Sequence, residues 1–137
     1  MENELKDKTN IDPRSAHQMI AEYEGYANTF PKDTLNVTDC FIKASRVAIA
    51  IGDSKKAVGL LEKEMAAYPK ASRTEQALFL LAFTFENHVK DLAKAEAAYK
   101  NFIAEYPKSD LADDARTALL VLGKSPDELV KSFAKPQ

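Results

Sequence analysis

The chain has 137 residues, 45% hydrophobic and 29% charged, and its 19 basic against 21 acidic side chains leave a net charge of −2. That length sustains one continuous core, and lysines spread along the whole chain argue against an electrostatic footprint for nucleic acid. The lone Cys40 has no second cysteine for an intramolecular disulfide or a shared metal, and nothing approaches the roughly 18 to 20 apolar residues that span a bilayer.

Residues 1–11 are polar and unpatterned, as a linker or a disordered terminus would be, which leaves a single folded domain expected over residues 12–137. Asp12 before Pro13 reads as a helix N-cap with proline at the first helical position. The first helix is predicted from Pro13 to Thr29, ended by Phe30-Pro31. A second follows from Asn36 to Ile51, where Gly52-Asp53 supplies a left-handed stop and the next cap. The third runs from Ser54 to Ala67. Ser72 and Glu75 have the spacing of a capping box and open a fourth helix reaching His88. Asp91 opens the fifth, which ends before Pro107. Ser109 or Asp110 caps the sixth, which closes at Gly123. Ser125-Pro126-Asp127-Glu128 combines a second capping box with proline just inside it, predicting a short seventh helix. Its Leu129, Val130 and Phe133 would cover the open end of the molecule.

The joints carry a repeat. Phe30-Pro31-Lys32, Tyr68-Pro69-Lys70 and Tyr106-Pro107-Lys108 place prolines 38 residues apart. The apolar positions before each proline keep the same register: Met19, Tyr23, Tyr26, Ala27 and Phe30; then Ala57, Leu60, Leu61, Met65 and Tyr68; then Ala95, Ala98, Tyr99, Phe102, Ile103 and Tyr106. Steps of three and four residues put each set on one helical face. Glu22 stands where the other copies have Leu60 and Ala98, and Glu64 stands where they have Tyr26 and Phe102. The expected fold is all-α, a short α-solenoid of about seven antiparallel helices with a 38-residue period and a C-terminal capping helix. Stacked helix hairpins present an extended surface in place of a reaction pocket.

Gly52-Asp53-Ser54-Lys55-Lys56-Ala57 resembles the turn into the second helix of a tetratricopeptide repeat, with Ala57 or Ala95 at the tight helix contact, Leu61 or Tyr99 four residues later and Pro69 or Pro107 closing the pattern. The resemblance covers residues 12–129. Ser45 and Ala82 stand where glycine is typical, the latter with one extra residue in the turn after His88, and the period is longer than the family's usual one. The segment Ala95 to Ser109, continuing through Leu111-Ala112-Asp113-Asp114-Ala115 and Leu122-Gly123-Lys124-Ser125-Pro126, is similar to the closing part of tetratricopeptide lipoproteins of the bacterial cell envelope, Bacteroidetes-type ones above all. Outer-membrane assembly lipoproteins share its Tyr-Pro-x-Ser turn. That resemblance implies an envelope scaffold in the periplasm, anchored by a lipidated cysteine ahead of a truncated start. Cys40 is not that cysteine, since no apolar signal precedes it. Met1-Glu2-Asn3-Glu4 lacks the regions of a secretory signal, and the alternative location is the cytoplasm.

Residues that carry chemistry are scarce. His17 and His88 have no second ligand at metal spacing. Asp113 and Asp114 are adjacent on a helix, so they point about 100° apart and do not form an acid/base pair. No glycine-rich loop precedes a helix to cradle phosphate. Neither an enzyme nor a cofactor is expected. The informative stretch is Leu78-Phe79-Leu80-Leu81-Ala82-Phe83-Thr84-Phe85, which is apolar around the whole helix. Laid on the family's geometry, Ile42, Lys43 and Arg46 on the second helix and Phe79, Phe83, Glu86 and Asn87 on the fourth would line the concave groove. With an apolar centre and a basic side, the groove would take a peptide or helix of a protein partner, or a second copy of the chain as a homodimer. Ile42 and Leu80 fall where a carboxylate-binding clamp would need polar groups, so a chaperone C-terminus is not the expected ligand.

Overall fold

The computed structural model of the chain describes residues 12–125, 127 and 128. Among these residues there are six α-helices and no strand: α1 (Pro13–Thr29), α2 (Thr34–Ala50), α3 (Ser54–Ala67), α4 (Thr74–Thr84), α5 (Leu92–Glu105) and α6 (Asp110–Val121). Each helix packs on the next in the chain, and α2 also touches α4 directly.

Capping chemistry sets most of the boundaries. The Asp12 carboxylate accepts from the Ser15 amide, Asp53 from Lys56 and Asp91 from Lys94, satisfying orphan donors at the starts of α1, α3 and α5. Ser109 does the same for Leu111 at the start of α6. Gly52 and Gly123 stop α2 and α6 with φ of +81° and +73°. The ends of α1, α3 and α5 are nearly superposable: φ/ψ is −127°/57° at Phe30, −133°/59° at Tyr68 and −132°/58° at Tyr106. At each end the aromatic amide donates to the carbonyl four residues back.

Three local expectations are corrected. α2 begins two residues early, at Thr34, because Asp33 takes the cap position while its carboxylate accepts from the Tyr26 hydroxyl at 2.6 Å and from the Asn36 side chain at 3.0 Å. The Ser72–Glu75 capping box does not form. α4 starts at Thr74 behind Arg73, and the Glu75 carboxylate instead accepts from the Ser109 hydroxyl, tying α4 to the cap of α6. In α1 the buried stripe is Ala16, Ile20 and Ala27, with Met19 and Phe30 exposed. Among the described residues no helix packs on that side of α1.

The predicted fourth helix does reach His88, but its last turn is π-helical over Phe85–Val89 and ends on Lys90 with φ +65°. A π-turn is how a helix absorbs one surplus residue, and the surplus matches the longer path from Ala82 to Asp91 than from Ser45 to Asp53. Both Ser45 and Ala82 are fully buried, the serine hydroxyl donating to the Ile42 carbonyl at 2.7 Å. The Ser125–Glu128 capping box is made: the Glu128 amide donates to the Ser125 hydroxyl oxygen at 3.2 Å. Leu129, Val130 and Phe133, and with them the expected capping helix, lie outside the described residues.

Among the described residues the core has two apolar clusters. Ala16, Ile20, Val37, Phe41 and Leu60 fill the space among α1, α2 and α3, and Leu61, Leu78, Leu81, Tyr99, Phe102 and Ala115 fill that among α3 to α6. Ala57 and Ala95, read from sequence as the small residues of tight contacts, are both fully buried.

Candidate functional site

α4 decides the surface. Its Ala77, Leu78, Leu81 and Ala82, with Phe85 just beyond, are buried against neighbouring helices, and Phe79 and Leu80 are half-buried. Phe79 packs edge-on against Tyr99 and Phe102 at centroid distances of 5.9 and 5.6 Å. Phe83 is different. It keeps 42% of its surface exposed, with the His88 ring 6.0 Å away as its aromatic neighbour.

Ile42 is not a groove residue. It is only 3% exposed and belongs to the second core cluster, reaching from α2 where that helix touches α4. Lys43 and Arg46, one and four residues further along α2, are exposed. Lys43 pairs with Asp39 at 2.9 Å, a contact that raises the lysine's pKa. Asp39 also faces Arg73 at 3.5 Å, so one carboxylate links α2 to the start of α4. Sequence reasoning missed this bridge, because the two residues lie far apart in the chain on helices that do not follow one another.

Glu86 and Asn87 sit in the π-turn. The half-buried Glu86 accepts from the Tyr99 hydroxyl at 2.7 Å, which joins the turn to α5 and, with burial as the larger cause, pushes the tyrosine's pKa far up. Asn87 is exposed and its side-chain amide donates back to the Phe83 carbonyl at 3.1 Å. Phe83, Lys43, Arg46 and Asn87 thus remain accessible, Phe79 and Glu86 are partly engaged, and Ile42 is core.

A second apolar depression of about 310 Å³ lies on the other side of α4, floored by Met65, Leu78, Leu81 and Phe85 and edged by Lys94 and Asn101. Three of its four floor residues belong to the run that is apolar around the whole helix, and their spacing does not announce the depression. Among the described residues no group of His, Cys, Asp and Glu is arranged to hold a metal, and no helix is long and apolar enough to cross a membrane.

Residues 76–109 match the family model described as tetratricopeptide repeat. The match supports a tetratricopeptide-repeat protein. It runs from α4 through the π-turn and α5 to the cap of α6, which is one complete hairpin. No curated protein matches the chain. Tetratricopeptide repeats generally mediate protein–protein interaction, and the family is typically noncatalytic.

Proposed function

We propose that the chain is a noncatalytic interaction scaffold whose hairpins repeat in 38-residue phase and hold a peptide or helix of a partner protein against α2 and α4. The exposed Phe83 carries this reading. It is a large aromatic left partly uncovered on a helix whose other apolar residues are buried or half-buried, beside a helix that presents Lys43 and Arg46. An apolar anchor with a charged rim suits an amphipathic segment with acidic residues. The near-identical backbone angles at Phe30, Tyr68 and Tyr106 support the common phase.

We propose further that the scaffold works in the bacterial periplasm or on a lipid anchor at the outer membrane, a reading that rests on the resemblance of the closing segment to envelope lipoproteins. The cytoplasm is the alternative. Fractionation of cells expressing the protein from its native gene start decides between them. Self-association is the second use of such a surface, favoured by the exposed Phe30 and Leu35 near the turn between α1 and α2. Light scattering across concentration separates a monomer from a concentration-dependent oligomer. A photo-crosslinking side chain at position 83, compared with one at Lys100 on α5, tests the site itself. Adducts to one heterologous protein from position 83 alone support the groove, and equal yields from both positions contradict it.

A further inference from the structure

Glu64 occupies the position held by Phe102 one repeat later, and it is as buried as that phenylalanine, with no exposed surface. One carboxyl oxygen, Oε1, has no hydrogen-bond partner among the described residues, and the other, Oε2, lies 3.0 Å from the Thr74 hydroxyl. The same hydroxyl lies 2.5 Å from the Tyr68 carbonyl. Thr74 has one proton and two oxygen neighbours. The carbonyl can only accept, so both contacts are hydrogen bonds at once only when the hydroxyl proton goes to Tyr68 and the carboxyl itself donates to the hydroxyl oxygen. A chain of donors from Glu64 through Thr74 to Tyr68 is complete only when Glu64 is protonated.

The surroundings give the ionised form little help. Arg73, at the start of α4, pairs its Nη1 with Asp39 on α2 and leaves its buried Nε without a hydrogen-bond partner among the described residues, and Asp39 also holds Lys43. From α4 the nearby charge is Glu75, and from the end of α5 come the Tyr106 hydroxyl and Glu105, which line the clefts beside Thr74 and Pro69 together with Lys70 of the joining turn. Among the described residues no cation pairs with Glu64. Burial pushes its pKa up to about 7, against a smaller opposing contribution from Thr74.

We propose that Glu64 and Thr74 form a proton-operated latch at the joint between α3 and α4. When Glu64 carries its proton, Thr74 holds the Tyr68 carbonyl and the turn from Pro69 to Arg73 is fixed. When Glu64 ionises, the Thr74 hydroxyl turns its proton to the carboxylate and releases Tyr68, whose carbonyl keeps only the 3.2 Å contact from the Ala71 amide. The joint between successive hairpins loosens as pH rises.

Amide hydrogen exchange at Ala71 and Thr74, corrected for intrinsic rates and followed from pH 5.5 to 8.5, tests the latch. The intact chain is expected to lose protection at both amides by roughly tenfold or more across that range, a change of about 1.4 kcal/mol in opening free energy. Glu64→Gln should hold its protection constant, and Thr74→Val should have low protection at both ends. Equal pH profiles for the intact chain and Glu64→Gln would overturn the proposal. Should the glutamine variant fail to fold, a carbon-13 titration of the Glu64 carboxyl in the intact chain decides: a midpoint near neutrality supports the latch, and one in the ordinary glutamate range overturns it.

Discussion

The Tyr68 hydroxyl donates to the Pro31 carbonyl at 2.6 Å, so the aromatic that ends α3 is fastened to the proline that follows α1. The bond joins the ends of two helices, α1 and α3, that do not follow one another in the chain. A solvent-accessible hydrogen bond of this kind contributes about 0.5 to 1.5 kcal/mol net. Tyr68→Phe should therefore lower unfolding free energy by about that amount in a urea titration, with the ring still packed. An unchanged midpoint would show that the corner is held by packing alone.

Ala95 is fully buried at the second core cluster. Ala95→Leu adds three carbons where there is no space, which should cost roughly 1 to 3 kcal/mol. Thermal melting equal to that of the parent would contradict the tight helix contact assigned to this position.

Lys90 holds a left-handed conformation at the end of the π-turn, with φ +65°. A side chain there costs about 1 to 2 kcal/mol, part of which glycine gives back through its larger unfolded-state entropy. Lys90→Gly should stabilise the fold by up to about 1 kcal/mol, read from denaturant midpoints. Destabilisation would mean that the lysine makes a compensating interaction.

The buried Glu64 gives the chain an unusual pH profile. Its folded pKa, about 7, is raised above the ordinary glutamate value of 4.5. Folding therefore takes up a proton between these values, and the stabilisation is full below the lower value and lost as pH rises through the upper one. The change has a ceiling of about 3 kcal/mol. Melting temperature should fall from pH 5 to pH 8 more steeply in the parent than in Glu64→Gln. Asp33 acts with the opposite sign, since the Tyr26 hydroxyl bond lowers its pKa and its contribution is lost as pH falls through that lowered value.

How much of this was legible in the sequence depended on how local each interaction is. Asp12, Asp53 and Asp91 cap by bonding amides three residues away, and α1, α3 and α5 start and stop where those residues and the following prolines predict. The Ser72–Glu75 signature misled because the partner of Glu75 is Ser109, 34 residues along the chain, a competitor that no local motif reveals. The exposure of Phe83 was only half legible. The apolar run announced a helix needing cover on all sides, but packing alone determines that Phe79 leans on Tyr99 and Phe102 while Phe83 does not. Ile42 was misplaced for the same reason: family geometry put it on the groove, and direct contact between α2 and α4 buries it. Glu64 read as a tolerated departure from an apolar stripe. That it is buried with no ionic partner among the described residues follows only from the joint folded around it.

The central claim is that Phe83 anchors a protein partner. The most direct measurement is the affinity of the protein crosslinked from position 83 for the Phe83→Ser variant, taken together with that variant's melting temperature. Because the ring is already 42% exposed, the serine variant should melt within a few degrees of the parent, against the ~3 to 5 kcal/mol expected for truncating a core aromatic, and should bind at least roughly tenfold more weakly. Unfolding would make Phe83 a core residue, and a folded variant with the parent's affinity would place the partner elsewhere.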